Sequence, residues 1–301
     1  MQKQNTKGIK LYMNEQKYIL KNQDSFELKH IFECGQCFRW NEENDGSYTG
    51  VFNKNILNVQ KDKDEIIFTG MIDGDIKKVV TDYFDLNRDY LKIKEQLSNI
   101  DENMKLSVEY GEGIRILNQD LWETIISFII SANNNIPRIK GIIEKLCRKY
   151  GQKIIWNNTE YYTFPTAEEL KNVSIEDFRK LGTGFRDIRL YETTQKIVNK
   201  EVDLEALHNE EDTKKIRELL LTLSGVGPKV ADCILLFSTL KRFDVFPIDV
   251  WVRRVMNDLY IKNPDESKVS KKEIQKLAVK KFGKLEGLAQ QYLFYWRRGI
   301  S

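Results

Sequence analysis

A chain of 301 residues suffices for about two domains of ~150 residues with real hydrophobic cores, which excludes a small stapled module. Its 48 Lys and Arg nearly cancel 45 Asp and Glu, giving a formal charge of +3, so net charge by itself names no partner. Apolar residues at 41% and charged residues at 31% describe a globular chain with a well-solvated surface and argue against wholesale disorder.

Along the chain, the first hundred residues carry short alternating apolar runs at 17–20, 35–40, 47–52, 56–59 and 65–68. The polar stretches 41–47 and 61–65 fit hairpin turns between them. The pattern predicts an antiparallel sheet with a helix or two. From about Asp120 the apolar residues recur at helical spacing, in segments 121–132, 136–150, 188–200, 213–223, 230–240, 250–259, 271–282 and 285–298. This second half is predicted to be all-helical. Ser174-Ile-Glu-Asp177 has the form of a capping box with Asp in place of Glu, and Pro137 stands near a helix start, where a missing N–H costs little. With no low-complexity linker, the domain boundary falls between residues 99 and 118. We set the domains at 1–110 and 111–301, joined tightly rather than by a tether.

Four cysteines are far too few for a secreted disulfide scaffold and fit a reducing compartment. No apolar run approaches the ~18 residues that span a bilayer, so no membrane association is expected. The two histidines, His30 and His208, lie far apart, which leaves few ligands for a His-rich zinc centre or a serine-type triad. Cys34 and Cys37 are half of a zinc-type spacing without a second pair, so a structural role is expected and no metal.

The window that carries chemistry is L-S-G-V-G-P-K at 223–229, between two apolar-periodic helices. Gly225 and Gly227 suit a tight hairpin whose outward N–H groups, with those of the next helix start, can hold a phosphate oxygen. Lys229 at that helix start faces the positive end of the helix dipole and apolar packing. Both oppose its charged form, which is how an amine becomes a nucleophile near neutral pH. Cys233, four residues on, shares its helical face. Asp249 opens the next helix as an N-cap. By residue type alone, Lys229 is equally a phosphate-gripping or solvated side chain, and Asp249 a plain cap worth ~1 kcal/mol.

Together the glycine hairpin, Lys229 and the Pro-x-Asp249 turn resemble the helix-hairpin-helix, Gly/Pro-rich loop, Asp superfamily of base-excision DNA glycosylases. No cysteine follows Cys233, so the iron–sulfur cluster of the endonuclease III branch is absent. The segments at 35–40 (GQCFRW), 131–138 (SANNNIPR), 182–186 (GTGFR) and 287–294 (GLAQQYLF) are similar to those of the 8-oxoguanine DNA glycosylases. The resemblance implies an α+β chain: an N-terminal antiparallel sheet with helices, of TATA-binding-protein-like form, packed on an all-α catalytic region.

It also implies roles. The Gly35 carbonyl would read the lesion's N7–H, Gln290 its Watson–Crick edge, and Phe294 and Cys233 would flank the extruded base. Asn133 would fill the vacated stack, with Asn134 supporting the site. Arg138 and Arg186 would read the orphaned cytosine, with Phe185 as the wedge, where tyrosine is usual. Trp251 stands where the family commonly has a phosphate-binding histidine, and an indole N–H carries no charge. The implied enzyme is a bifunctional glycosylase/AP lyase with Lys229 and Asp249 as catalytic pair and no cofactor. Its partner would be double-stranded DNA containing 8-oxoguanine paired with cytosine, bound by a monomer in a bacterial cytoplasm, nucleoid-associated when on DNA. A non-catalytic DNA-binding protein, or a glycosylase for another oxidised base, remain the alternatives. Charge divides by position: residues 1–104 hold 15 Lys/Arg and 18 acids, whereas 267–301 hold 9 and 2. A basic region of that kind suits phosphate contacts.

Overall fold

The computed structural model describes residues 13–300. Strands β1 (Met13–Lys21), β2 (Trp40–Glu42), β3 (Tyr48–Phe52), β4 (Asn55–Asp62) and β5 (Glu65–Asp73) form one antiparallel sheet in the order β1-β5-β4-β3-β2. On β5, Ile66, Phe68 and Ile72 alternate inward, and Phe68 pairs with Tyr18 on one side and Val59 on the other. Helices α1 (Leu28–Phe32) and α2 (Ile76–Tyr83) cover that face, closing a core with Trp40, Phe84 and Leu57. Burying each such side chain stabilises the fold by about 2 kcal/mol.

Next come α3 (Tyr90–Ser98) and α4 (Glu102–Tyr110), two more helices than the apolar pattern in this region led us to expect. Their buried Tyr90, Leu97, Met104 and Val108 join the larger core of the second half, not that of the sheet. The junction is therefore tight. Of the strand expected at 35–40, only Trp40 is extended: Gly35 has φ +86, and the buried Gln36 turns inward.

The second half is built around α5 (Leu121–Ser131), capped by Asp120, whose carboxylate accepts from the Glu123 N–H at 2.8 Å. It is followed by α6 (Ile136–Tyr150), which starts and ends as predicted. The all-helical expectation fails next, at the hairpin of β6 (Lys153–Trp156) and β7 (Thr159–Tyr162). Asn157 and Asn158, both at positive φ, make its two-residue turn. Ile154 and Trp156 cover the outer face of the sheet at Val51 and Ile56, which explains why every residue of β3 is buried.

Short helices α7 (Ala167–Leu170) and α8 (Ile175–Lys180) precede α9 (Asp187–Val198). Ser174 caps α8 as expected, but the reciprocal capping box is made one helix earlier, by Thr166 and Glu169 of α7. Then come α10 (Leu204–Asn209), α11 (Thr213–Leu221) and α12 (Pro228–Phe237), the last starting two residues before and ending three before its predicted span. Finally come α13 (Val250–Met256), which widens into a π-turn over Asn257–Ile261, α14 (Lys271–Phe282) and α15 (Glu286–Gly299). Phe128 of α5 stacks on Phe237 of α12 at 5.6 Å, and α15 returns to pack on α4.

Just past α12, the largely covered Lys241 side chain donates to the Ile116 carbonyl and lies 3.6 Å from Asp85, which Arg88 also pairs. Burial pushes its ammonium down to about 7, against Asp85, which raises it. Between that value and 10.5 the folded lysine is neutral while the unfolded chain keeps the proton, so this group makes stability rise with pH. Urea unfolding of Lys241→Met across this window is expected to lack that rise; parallel wild-type and variant curves would contradict it.

Candidate active site

The glycine hairpin joins α11 to α12. Gly225 has φ +85, and a Cβ there would meet Arg189 and Ile129 side chains at 3.0–3.1 Å, so no other residue fits without strain. Gly227 needs no positive φ: it is extended, at φ −90, with open space where a Cβ would stand. It caps α12 without a side chain, which leaves the first-turn N–H groups of that helix without an intrahelical partner.

Lys229, one residue into α12 after Pro228, and Cys233, one turn on, line a cleft of about 880 Å³. Asp249 lines the same cleft from the start of α13, where it accepts from the Val252 N–H at 2.7 Å. Pro247 and Ile248, in the chain that leads from α12 to α13, also line this space. The Lys229 Nζ lies 5.4 Å from the Phe128 ring centroid.

The expectation of a lowered amine pKa is not met. Lys229 is held above its ordinary value, first by Cys233, against burial, and then by Asp249. Cys233 acts by charge only as a thiolate, however, and burial pushes that thiol up to about 11. At neutral pH the contest is therefore between burial, which favours the free amine, and the Asp249 carboxylate, which favours the ammonium.

Opposite these groups, the cleft wall is Gly35 from the sheet domain and Gln290 and Phe294 from α15. Gln290 is 6% exposed, and its Oε1 has no hydrogen-bond partner among the described residues. A buried orphan acceptor costs about 1–3 kcal/mol, so it marks a place for a donor. Trp251 reaches the same cleft, and its Nε1 likewise has no partner among the described residues. Cys34 and Cys37 are buried and donate to the Ile31 and Phe32 carbonyls, as expected of structural thiols.

What the sequence did not single out is how Gly35 is held. Gln36 donates to the Ile31 and Arg115 carbonyls at 2.8 and 2.7 Å and accepts from the Leu117 N–H at 2.9 Å. Gln119 donates to the carbonyls of Gln36 and Phe237, at 2.7 and 3.0 Å. Gln291 donates to the Cys34 carbonyl at 2.6 Å. A glutamine placed beside each motif residue, at 36 and 291, was the available signal.

The loop after α5 lies at the cleft mouth. Asn133 is exposed at φ +51, Asn134 donates to the Ile130 carbonyl at 3.1 Å, and Asn135 caps α6. Arg138 is exposed and reaches the Gly182 carbonyl at 3.3 Å. Phe185 is 52% exposed in a short 3-10 turn. Arg186, beside it, is 1% exposed: it donates to the carbonyls of Ala132, Asn133 and Thr183, so it holds this loop and is no exposed helix charge. Phe185, Arg138, Arg186 and the glycine hairpin lie outside the lining of the cleft itself.

Two family models match the chain: the 8-oxoguanine DNA glycosylase N-terminal domain over residues 18–125, and the HhH-GPD superfamily base excision DNA repair protein over 126–282. The chain belongs to this glycosylase superfamily. It is 32% identical to the N-glycosylase/DNA lyase of Saccharomyces cerevisiae over 78% of this chain and 68% of that protein. The 8-oxoguanine glycosylase/lyase of Clostridium acetobutylicum in its apo form is 43% identical, with a TM-score of 0.88 over 94% of this chain and 98% of that one. Its complex with double-stranded DNA containing cytosine opposite 8-oxoguanine gives a TM-score of 0.89 at the same identity, over 96% and 98% of the two chains. Among the described residues no helix is long and apolar enough to cross a membrane.

In this glycosylase, Gly35→Ala places a Cβ 3.7 Å from Phe294, an ordinary contact, so its cost is that of a positive φ alone. The variant is expected to fold with about 1–2 kcal/mol less stability by denaturant titration. An unchanged midpoint would show that Gly35 is not held at positive φ.

Proposed function

We propose that this chain is a bifunctional DNA glycosylase and AP lyase that excises 8-oxoguanine paired with cytosine from duplex DNA. The observation that carries the proposal is one cleft lined by an amine, a carboxylate and a buried amide with an unmet acceptor, Lys229, Asp249 and Gln290. It is supported by the 43% identity to a glycosylase/lyase of that specificity along nearly the full chain.

The lesion base is flipped from the stack into this cleft. Guanine presents an acceptor at N7 and 8-oxoguanine an N–H, so the Gly35 carbonyl selects the damaged base, and the orphan Gln290 Oε1 takes a donor from its Watson–Crick edge. Phe294 and Cys233 cover its two faces. The Lys229 amine, once deprotonated, bonds to the anomeric carbon as the glycosidic bond breaks and the base leaves with the bonding pair. Asp249 stabilises the positive charge that develops on the sugar. The sugar ring then opens to an imine, which acidifies the adjacent C–H. Loss of that proton expels the 3′ phosphate and cuts the strand.

On the other strand, Asn133 takes the vacated space with Asn134 bracing it, Phe185 wedges the duplex, and Arg138 and Arg186 read the cytosine. Arg186 does so by exchanging carbonyl partners in its own loop. The Gly225 and Gly227 hairpin grips a backbone phosphate. Amine and carboxylate suffice for these steps, so no cofactor is assigned. We place the enzyme on DNA as a monomer, in a bacterial cytoplasm, and treat residues 1–110 and 111–301 as its two domains, with α3 and α4 of the first packed into the core of the second.

Asp249→Asn separates catalysis from capping, because Asn caps a helix as well as Asp. Thermal stability should hold within ~0.5 kcal/mol while excision slows roughly 10²–10³-fold. Excision at the wild-type rate in this variant would reduce Asp249 to a cap. Arg138→Ala should narrow the preference for cytosine over adenine opposite the lesion by about tenfold, in line with the ~1–3 kcal/mol of a good base contact. Across a panel of lesion duplexes, faster removal of another base would shift the substrate assignment.

A further inference from the structure

Two guanidiniums lie over Phe185, and a third, that of Arg138, acts on one of them. Arg186 lies with its guanidinium carbon 4.3 Å from the ring centroid and Arg189 at 5.1 Å, and burial followed by the charges of Arg138 and Arg189 lowers the Arg186 pKa. Arg186 is satisfied by its loop carbonyls and Arg138 reaches Gly182. Arg189 has no hydrogen-bond or ion-pair partner among the described residues. Glu192, one turn on, accepts from the Ser224 hydroxyl instead of pairing with it.

The placement of Arg189 adds to the imbalance. It is the third residue of α9, where the helix dipole disfavours a cation. The first-turn carboxylate of α9, Asp187, is taken up by Arg179 at 2.6 Å and by the Ile188 N–H at 2.7 Å, so Arg189 keeps its charge unpaired beside Arg186 until an anion arrives. The side chain also lies under the hairpin: its Cβ and Cδ occupy the space that a side chain at position 225 would need. One residue thus touches both the exposed aromatic and the glycine turn that opens α12.

We propose that Arg189 is a positioning residue that takes a DNA backbone phosphate next to the Gly225 hairpin and, through its stacking on Phe185, ties wedge insertion to the backbone grip. This rests on the glycosylase reading above and adds a contact that the family motifs do not contain. Phosphate binding needs only the positive charge. Orienting Phe185 needs the planar guanidinium, so lysine at this position separates the two.

The test uses the full chain and two duplexes, one undamaged and one carrying 2-aminopurine beside an 8-oxoguanine. Thermal melting first confirms that Arg189→Gln and Arg189→Lys fold. On undamaged duplex, the slope of log affinity against log salt should fall by about 0.9 in Arg189→Gln and stay at the wild-type value in Arg189→Lys. The 2-aminopurine signal of local unstacking should drop in both. A wild-type salt slope in Arg189→Gln overturns the phosphate contact, and a wild-type unstacking signal in Arg189→Lys overturns the coupling to Phe185. The salt slope is read without excision, so it stands apart from failure of the catalytic assignment.

Discussion

The cleft depends on a set of buried amide hydrogen bonds that fasten a loop of the sheet domain to the helical domain. Gly35 would otherwise sit on a mobile connection between α1 and β2. Both Gln36 N–H donors and its carbonyl oxygen are used, Gln119 bridges the Gln36 carbonyl to the last turn of α12, and Gln291 holds the Cys34 carbonyl from α15. Each bond contributes about 1 kcal/mol, but each orphaned group would cost about 1–3, so the loop has one low-energy position. The same α12 that Gln119 anchors at Phe237 carries Lys229 at its other end. The two walls of the cleft are thereby referenced to one rigid element, which is what a site that discriminates a single proton on a base requires.

Charge is organised around that frame more sharply than a formal +3 conveys. The cleft holds an amine, Lys229, whose charged form is favoured by the Asp249 carboxylate and opposed by burial, and Asp249 is also a helix cap. Outside the cleft lining, Arg186 and Arg189 lie over one exposed aromatic, Phe185, with the charge of Arg138 acting on Arg186. The hairpin adds a helix start without a side-chain cap. These features disfavour the empty state and favour a polyanion, so local repulsion in the free protein is converted into attraction when a phosphate backbone binds.

Much of this organisation is legible in local sequence signals. Glycine at 225, Lys229 and the Asp249 cap belong to short motifs whose geometry is set by neighbours in sequence, and α6 and α14 match their apolar periods end to end. Sequence and fold part company where tertiary contacts decide. The run at 35–40 has strand-like composition, yet positive φ at Gly35 and the distant bonds of Gln36 to Arg115, Leu117 and Gln119 bend it. The β6–β7 hairpin is legible in principle, since Asn157-Asn158 between alternating residues is a hairpin signal, but the helical surroundings mask it. Periodicity locates Lys229 on a helix start correctly. It cannot weigh Cys233 and Asp249 against burial, because Asp249 lies twenty residues away and meets the lysine only in the fold.

The most direct measurement is peptide mass mapping of the adduct formed when the enzyme meets an 8-oxoguanine:cytosine duplex under borohydride. The expected result is one reduced cross-link, on the peptide that carries Lys229, absent from Lys229→Gln. A cross-link on another lysine or on the amino terminus, or no adduct with intact folded enzyme, would contradict the assignment of Lys229 as the nucleophile.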